Sequence, residues 1–255
     1  MSHTVRPDDA WIRCFQSPPK IHSRLFCFPH AGGSASYFHP LSRALSGTAA
    51  QIAAVQYPGR QERRREPCID NIPEAADLLC TALADWADLP MALFGHSMGA
   101  LLAYEVGRRL EDRGITVLSV FVSGRRAPSV IRHEDVHRRD DAGLVEEIKS
   151  LSGTDPAVFD DPEIIESSLP AIRNDYKAAE TYVHVADGML NCPLTALVGD
   201  SDPRVSQDEV RAWSEHTRGD FLVRVFPGGH FYLDHHLPEI AATISDDLRL
   251  RLAHG

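Results

Sequence analysis

The pentapeptide GHSMG at positions 95–99 constrains the fold of this chain more than any other segment. An apolar run at 91–94 precedes it and a helix-forming run at 100–104 follows, so the local order is strand, tight turn and helix. In such a G-x-S-x-G turn the serine stands clear of the sheet on a strained backbone, and the two glycines leave room for the close turn. The pattern predicts a nucleophile at Ser97 and an oxyanion donor in the backbone N–H of Met98. The alternative is a chance match on an ordinary turn.

The rest of the chain alternates short apolar runs with helical segments. We predict strands over 11–15, 24–28, 51–56, 92–94, 119–122, 194–198 and 222–226. We predict helices over 37–45, 72–86, 100–113, 207–215 and 238–250. Most interior strands are almost continuously apolar, which is typical of parallel strands buried on both faces. The alternation therefore predicts an α/β fold with a mostly parallel sheet flanked by helices.

One connection between predicted strands, at positions 124–193, is unusually long. It spans 70 residues, whereas a parallel crossover needs only about a dozen. The excess predicts helices at 141–150 and, with some break, at 162–183, because apolar residues recur there on one face. An insertion at this point lies over the carboxyl ends of the strands, where Ser97 is also predicted. We expect a helical lid within a single domain spanning 1–255, and a packed structural subdomain is the alternative.

Composition and charge narrow the class of protein. Hydrophobic residues make up 43% of the 255, no apolar run approaches the length of a membrane span, and positions 1–9 lack the apolar core of a signal peptide. The five cysteines form no C-x-x-C pair and are typical of reduced thiols. A formal net charge of −10 argues against nucleic acid as a partner. We therefore expect a cytoplasmic protein that binds neither membranes nor nucleic acid.

A nucleophilic serine needs a base and an acid, which follow it in the chain order serine, acid, histidine. Of the thirteen histidines, His230 comes just after the last predicted strand, at the edge of the sheet from which it can reach Ser97. Two aspartates follow the preceding strand. Asp200 lies at the strand end, where it could simply cap the turn, whereas Asp202 lies further out beside a proline. We predict Asp202 as the acid, with Asp200 as the alternative.

A second oxyanion donor is expected in the loop after an early strand. The segment FPHAGGSA at 28–35 has two glycines, which let backbone N–H groups approach a ligand closely. We predict that the N–H of Ala31 acts together with that of Met98. A plain glycine turn is the alternative.

These motifs together resemble the type II thioesterases, the discrete editing enzymes of polyketide and nonribosomal peptide assembly lines. The resemblance rests on FPHAGGSASYF at 28–38, YPGR at 57–60 with Arg63 and EP at 66–67, GHSMGA at 95–100, GDSDP at 199–203 and GGHFYL at 228–233. It runs from about position 11 to the last predicted helix, and the order of five motifs is highly specific.

The resemblance implies the α/β-hydrolase fold and hydrolysis of acyl or aminoacyl groups from the phosphopantetheine arm of a carrier protein. No metal or organic cofactor is expected, because the phosphopantetheine arrives as part of the substrate. Two alternatives share the triad: a medium-chain fatty acyl-carrier-protein thioesterase and an esterase acting on oxygen esters. A non-catalytic binding protein is the third, and the serine, acid and histidine in order argue against it.

An arginine cluster stands out on this acidic chain. It consists of Arg60, Arg63, Arg64 and Arg65. Carrier proteins are usually acidic and their arm bears a phosphate, and arginine binds both carboxylate and phosphate in a bidentate fashion. We predict that the cluster docks the carrier, and that Arg125 and Arg126 face the same entrance. The alternative is a solvated loop in which Glu62 and Glu66 pair with these arginines.

Overall fold

The computed structural model describes residues 10–16, 18–151, 162–185 and 188–254. Within them, one sheet contains β1 (Ile12–Cys14), β2 (Ser23–Phe28), β3 (Ala50–Val55), β4 (Met91–His96), β5 (Val117–Ser123), β6 (Leu194–Gly199) and β7 (Phe221–Phe226). The strand order is β1-β3-β2-β4-β5-β6-β7. β1 runs antiparallel to β3, and every other neighbouring pair is parallel. The predicted fold class is confirmed.

The apolar runs of the sequence correspond to strands that are covered on both faces. Every residue of β2, β3, β4 and β6 is buried, which explains why these strands show no alternation of polar and apolar residues. β7 lies at the edge of the sheet and is less buried, with Leu222 and Val225 exposed. β4 lies at the centre, so the residues that follow it are surrounded by the ends of neighbouring strands.

Helices cover both faces of this sheet. They are α1 (His39–Ala44), α2 (Ile72–Ala84), α3 (Met98–Asp112), α4 (Asp141–Ser150), α5 (Pro162–Glu180), α6 (Gln207–Arg211) and α7 (Leu237–His254). Alternate residues of β2 divide between two cores: Phe26 and Phe28 pack with α2 and α3, while Leu25 and Cys27 pack with α1 and α7. Among the described residues, no helix is long and apolar enough to cross a membrane.

The long connection between β5 and β6 forms α4 and α5. α4 begins where the Asp140 carboxylate accepts a hydrogen bond of 2.9 Å from the N–H of Gly143. The break expected in the second helix is absent from α5, which continues past Pro170 and ends at Glu180. The two helices enclose a small core of their own with the turn Val136–Arg138.

Candidate active site

The turn after β4 is strained in the way that the GHSMG pattern predicts. Ser97 has φ 55° and ψ −115°, and α3 begins at the next residue. A Cβ added to Gly95 would lie 2.0 Å from the carbonyl oxygen of Gly99, and one added to Gly99 would lie 2.0 Å from that of Phe28. Both positions therefore exclude any side chain. The N–H of Ser97 donates to the carbonyl of Ser123 at 2.8 Å, which ties the turn to β5.

The structure brings His230 and Asp202 together. The two atoms His230 Nδ1 and Asp202 Oδ2 are 2.9 Å apart, and both side chains are almost fully buried. The other carboxylate oxygen of Asp202 accepts from the N–H of Arg204 at 2.8 Å, so the carboxylate is held from two sides. Asp202 is therefore placed to orient the imidazole.

The alternative acid has a different environment. Asp200 is exposed, and its Oδ1 accepts hydrogen bonds from the N–H of Gly228 and the hydroxyl of Ser201. The hydrogen bond from Gly228 is the main cause that lowers the pKa of this carboxyl. Asp200 thus caps the turn after β6 and joins it to the loop after β7.

Ser97, Met98, Ala31 and His230 line one small cavity of about 40 Å³. Among hydrogen bonds between residues that the structure describes, the N–H groups of Ala31 and Met98 have no acceptor. The two residues with free N–H groups, the serine and the histidine thus line a common space, as the predicted oxyanion hole requires.

Two further histidines, which sequence reasoning did not assign to the site, lie beside it: His30 lines the cavity and His96 packs against His230. Burial, together with the neighbouring His230 and Arg60, lowers the pKa of His30 to about 3. His96 lies behind His230, with ring centroids 5.0 Å apart, and its Nδ1 is 3.0 Å from the Ser123 hydroxyl. Burial is also the main cause that lowers the pKa of His96. Both rings are neutral at physiological pH, so they add no positive charge beside His230.

A larger apolar chamber adjoins this cavity. It has a volume of about 150 Å³ and shares His30, Ala31, Leu151, Tyr176 and Phe231 with the smaller cavity. Its remaining wall is mainly aliphatic and comes from α4 and α5: Val145, Ile148, Ile165, Leu169 and Ile172. The insertion between β5 and β6 thus lies against the site.

Three arginines line another wall of the small cavity. Arg126 is paired with Glu134, and Arg204 with Glu147 at 2.8 Å. Arg125 donates from Nη2 to the carbonyl of Ala179 at 3.1 Å, while its buried Nε has no partner among the described residues. Burial is the main cause that lowers the pKa of Arg125 to about 9. The wall therefore carries a guanidinium with one unused, buried donor.

The prediction that the arginine cluster docks the carrier is wrong for two of its four arginines. Arg60 is buried and makes a bidentate ion pair with Asp175 at 2.6 and 2.9 Å. Arg63 is also buried; it pairs with Glu66 and lies over the ring of Trp11, 4.3 Å from its centroid. The guanidinium groups of both are satisfied inside the protein, so they do not face a docking partner.

The other two arginines of the cluster are at the surface. Arg64 and Arg65 are exposed on the segment after the turn Gln61–Arg63. The structure therefore leaves two arginines here, rather than four, in a position to contact a partner.

Residues 23–248 match the family model described as the thioesterase domain. This chain belongs to the thioesterase family. It is 47% identical over 240 residues to "Thioesterase PikA5" of Streptomyces venezuelae, covering 93% of this chain and 85% of that protein. It is 47% identical over 238 residues to "Probable cadicidin biosynthesis thioesterase" of Streptomyces griseus, of whose length the match spans 66%. The predicted resemblance is confirmed.

A solved thioesterase structure agrees with the observed fold. The type II thioesterase BorB from the borrelidin biosynthetic cluster superimposes with a TM-score of 0.89 at 47% sequence identity, covering 94% of this chain and 98% of that one. Such agreement over nearly the whole length confirms the α/β-hydrolase fold of this thioesterase family member.

Proposed function

We propose that this chain edits polyketide or nonribosomal peptide assembly lines by hydrolysing acyl or aminoacyl thioesters from the phosphopantetheine arm of their carrier proteins. The observation that carries the proposal is the buried pair of His230 and Asp202 beside Ser97, in a cavity that opens into an apolar chamber. Membership of the thioesterase family and similarity to BorB, a type II thioesterase from the borrelidin biosynthetic cluster, support the substrate class.

Acylation uses groups that the site already holds. The Ser97 hydroxyl attacks the thioester carbonyl while His230 accepts its proton on Nε2, the nitrogen that does not face Asp202. Asp202 keeps the other nitrogen protonated and stabilises the imidazolium that forms. The N–H groups of Ala31 and Met98 receive the oxyanion, and each such donor lowers the barrier by roughly 3–4 kcal/mol in enzymes of this kind.

Acylation ends when the C–S bond breaks and the imidazolium gives its proton to the departing sulfur, which needs less help than an amine because a thiol has a pKa of about 8.5. In deacylation a water molecule attacks the acyl-Ser97 carbonyl while His230 accepts its proton. His230 then returns that proton to the Ser97 oxygen as the ester bond breaks and the acid is released. The sequence of steps uses no metal and no organic cofactor.

The two cavities suggest how the substrate lies. The acyl group suits the aliphatic chamber between α4 and α5, whose volume of about 150 Å³ favours short chains. The thiol arm then leaves the reaction centre along the opposite, polar wall. Arg125 lines this wall and is partly exposed, so its guanidinium is placed to donate to amide carbonyls of that arm.

The proposal is tested by presenting one short acyl group in three forms: on a carrier protein, on pantetheine and as a p-nitrophenyl ester. We expect the thioesters to be hydrolysed with higher kcat/KM than the oxygen ester, and Ser97→Ala to abolish all three activities. Preference for the oxygen ester would support the esterase alternative. Preference for medium chains would support the fatty acyl alternative, and no labelling by a fluorophosphonate would support a binding protein.

We further propose that Arg64 and Arg65 contact the carrier, which is an acidic partner for an exposed basic pair. Replacing both by alanine should lower kcat/KM for acyl-carrier protein, and salt should lower it in the same way in the unmodified enzyme. Hydrolysis of acyl-pantetheine is the control. Equal losses on both substrates would contradict the docking role.

A further inference from the structure

A buried carboxylate on α5 joins the insertion to the loop that carries Ala31. Asp175 is 2% exposed. Its Oδ2 accepts from the backbone N–H of Gly32 at 2.7 Å and from Arg60 Nη1 at 2.6 Å, and its Oδ1 accepts from Arg60 Nη2 at 2.9 Å. One side chain therefore ties α5 to the loop at 29–35 and to the segment after β3.

The hydrogen bond to Gly32 fixes the peptide group next to the proposed oxyanion donor. The plane that contains the N–H of Gly32 also contains the carbonyl of Ala31, so holding it restricts rotation about the Ala31 backbone. Gly32 has φ +77°, and a Cβ there would lie 2.6 Å from Cγ1 of Ile172 on the same helix. α5 therefore determines the position of Gly32 both by contact and by hydrogen bonding.

Arg60 holds the same loop one residue further on. Its Nη1 donates to the carbonyl of Gly33 at 3.1 Å as well as to Asp175, and its guanidinium lies 5.1 Å from the ring centroid of Tyr57. The Tyr57 hydroxyl in turn donates to the carbonyl of Pro29 at 3.2 Å. Both ends of the segment around Ala31 are thus fixed by the same network.

Stability alone is a poor explanation for this ion pair. Burial of two charges carries a desolvation cost that often cancels their attraction, so apolar replacements of such pairs are frequently neutral or stabilising. Burial lowers the pKa of Arg60, but the attraction of Asp175 outweighs it and the pKa is raised overall. The pair therefore stays charged, and its directional contacts all converge on one loop.

We propose that Asp175 is the positioning residue of the oxyanion hole: it holds the loop at 29–35 so that the N–H of Ala31 points at the substrate oxygen. The proposal rests on the proposed hydrolysis at Ser97. It also assigns the second half of α5 to the fixed framework of the site, although this helix belongs to the segment predicted as a lid.

The test replaces the carboxylate with a neutral group of the same shape, Asp175→Asn. We expect kcat on a short acyl-pantetheine to fall by about 10- to 100-fold, since loss of a whole donor costs about 100- to 1,000-fold. KM should change by less than about threefold, because the ground-state carbonyl gains little from the hole. Rates are divided by the concentration of active sites, counted by the final extent of fluorophosphonate labelling.

The matched control is Asp88→Asn. Asp88 makes the same bidentate contact with the buried Arg24, at 2.8 and 3.0 Å, near the amino ends of β2 and β4 and away from the site. Its kcat should stay within about twofold of the unmodified enzyme. An Asp175→Asn enzyme with unchanged kcat per active site, whatever its thermal stability, would overturn the proposal.

A second readout does not depend on thioester hydrolysis. An alkyl boronic acid forms a tetrahedral adduct with a nucleophilic serine and places an oxygen in the oxyanion hole. Its Kd should rise in Asp175→Asn by the same factor by which kcat falls, while the Kd of an unreactive thioether analogue stays constant. Arg60→Lys, which keeps the charge but loses the bidentate geometry, should give an intermediate loss and replaces Asp175→Asn if that variant does not fold.

The two proposals fail differently. A Ser97→Ala enzyme that still hydrolyses thioesters would contradict the proposed function. Boronate affinity that does not differ between the unmodified enzyme and Asp175→Asn would contradict the positioning role, even in an enzyme whose thioesterase activity is intact.

Discussion

At the scale of single residues, strain at Ser97 shapes the site. A non-glycine residue at φ 55° costs about 1–3 kcal/mol, and the surrounding contacts hold it there: the N–H of Ser97 on Ser123, and Gly95 and Gly99 where no Cβ fits. Sequence alone could predict this feature because the steric requirement lies within five consecutive residues. Arg60 pairs with Asp175, which is 115 residues away, and no local sequence pattern indicates such a pair. The sequence therefore placed Arg60, which is buried, in a predicted surface cluster.

The choice between the two aspartates gives the first prediction. Asp202→Asn should lower kcat by about 10⁴-fold, because an amide beside Nδ1 favours the wrong imidazole tautomer. Asp200→Asn is the matched control and should change kcat by less than about tenfold, since it only alters a turn. Steady-state kinetics on one acyl-pantetheine compares them. A greater loss in Asp200→Asn would show that the acid has been assigned to the wrong residue.

Arg125 gives a second prediction at this scale. Arg125→Met should lower kcat/KM for acyl-pantetheine by roughly 10-fold, the value of about one charge-assisted hydrogen bond. The p-nitrophenyl ester of the same acid has no pantetheine amides and serves as the control substrate, on which the variant should match the unmodified enzyme. Arg125→Lys keeps a charge but no Nε donor and should be intermediate. Equal losses on both substrates would mean that Arg125 acts on the reaction centre or on folding.

At the scale of secondary structure elements, burial on both faces made the central strands predictable. β2, β3, β4 and β6 carry runs of apolar residues because both sides of the sheet are covered. The helices of the insertion were predictable from the spacing of their apolar residues. Their attachment to the rest of the fold was not, because it depends on Asp175 and on Lys177 paired with Asp70. Glu180, bound to the N–H groups of Val136 and His137, joins α5 to another part of the insertion.

These attachments divide the insertion into a fixed and a looser part. Amide hydrogen exchange in the second half of α5, residues 171–180, should be as slow as in α3, because Asp175 and Lys177 bind it to residues outside the insertion. Exchange in α4 should be faster, since its buried residues are limited to Leu144 and Glu147. Mass spectrometry of exchanged peptides measures both. Uniformly fast exchange across α4 and α5 would show that the whole insertion moves as one lid.

At the scale of the whole molecule, the fold keeps several histidines neutral. Burial lowers the pKa of His30 to about 3 and, with a contribution from His184, that of His216 to about 4. His216 does not line the cavity that contains Ser97; its Nε2 is 2.9 Å from the Ser129 hydroxyl and its Nδ1 3.3 Å from that of Tyr104. These lowered pKa values could not be predicted from the sequence. They depend on burial, and the sequence does not show which of the thirteen histidines are buried.

Stability should therefore fall in mild acid. In the unfolded chain a histidine binds its proton near pH 6.5, whereas folded His216 resists protonation until about pH 4. Between these values the unfolded state binds more protons, so the free energy of unfolding drops as pH falls, by up to about 1.4 kcal/mol per pH unit for each such histidine. Above pH 7 the imidazole of His216 is neutral in both the folded and the unfolded chain, so the effect vanishes.

Carboxyls with lowered pKa values, such as Glu134 and Glu209, also make the free energy of unfolding drop as the pH falls, but only nearer pH 4.

Urea unfolding between pH 7.5 and 5 measures this dependence, and His216→Gln isolates one histidine. Glutamine keeps a group that can bond to Ser129 or Tyr104 but binds no proton, so the variant should lose stability less steeply from pH 6.5 to 5. The difference in slope should approach one proton, about 1.4 kcal/mol per pH unit. His235→Gln, which changes a residue exposed on the surface, is the control and should leave the slope unchanged. Identical slopes in all three proteins would show that His216 is protonated as readily in the fold as outside it.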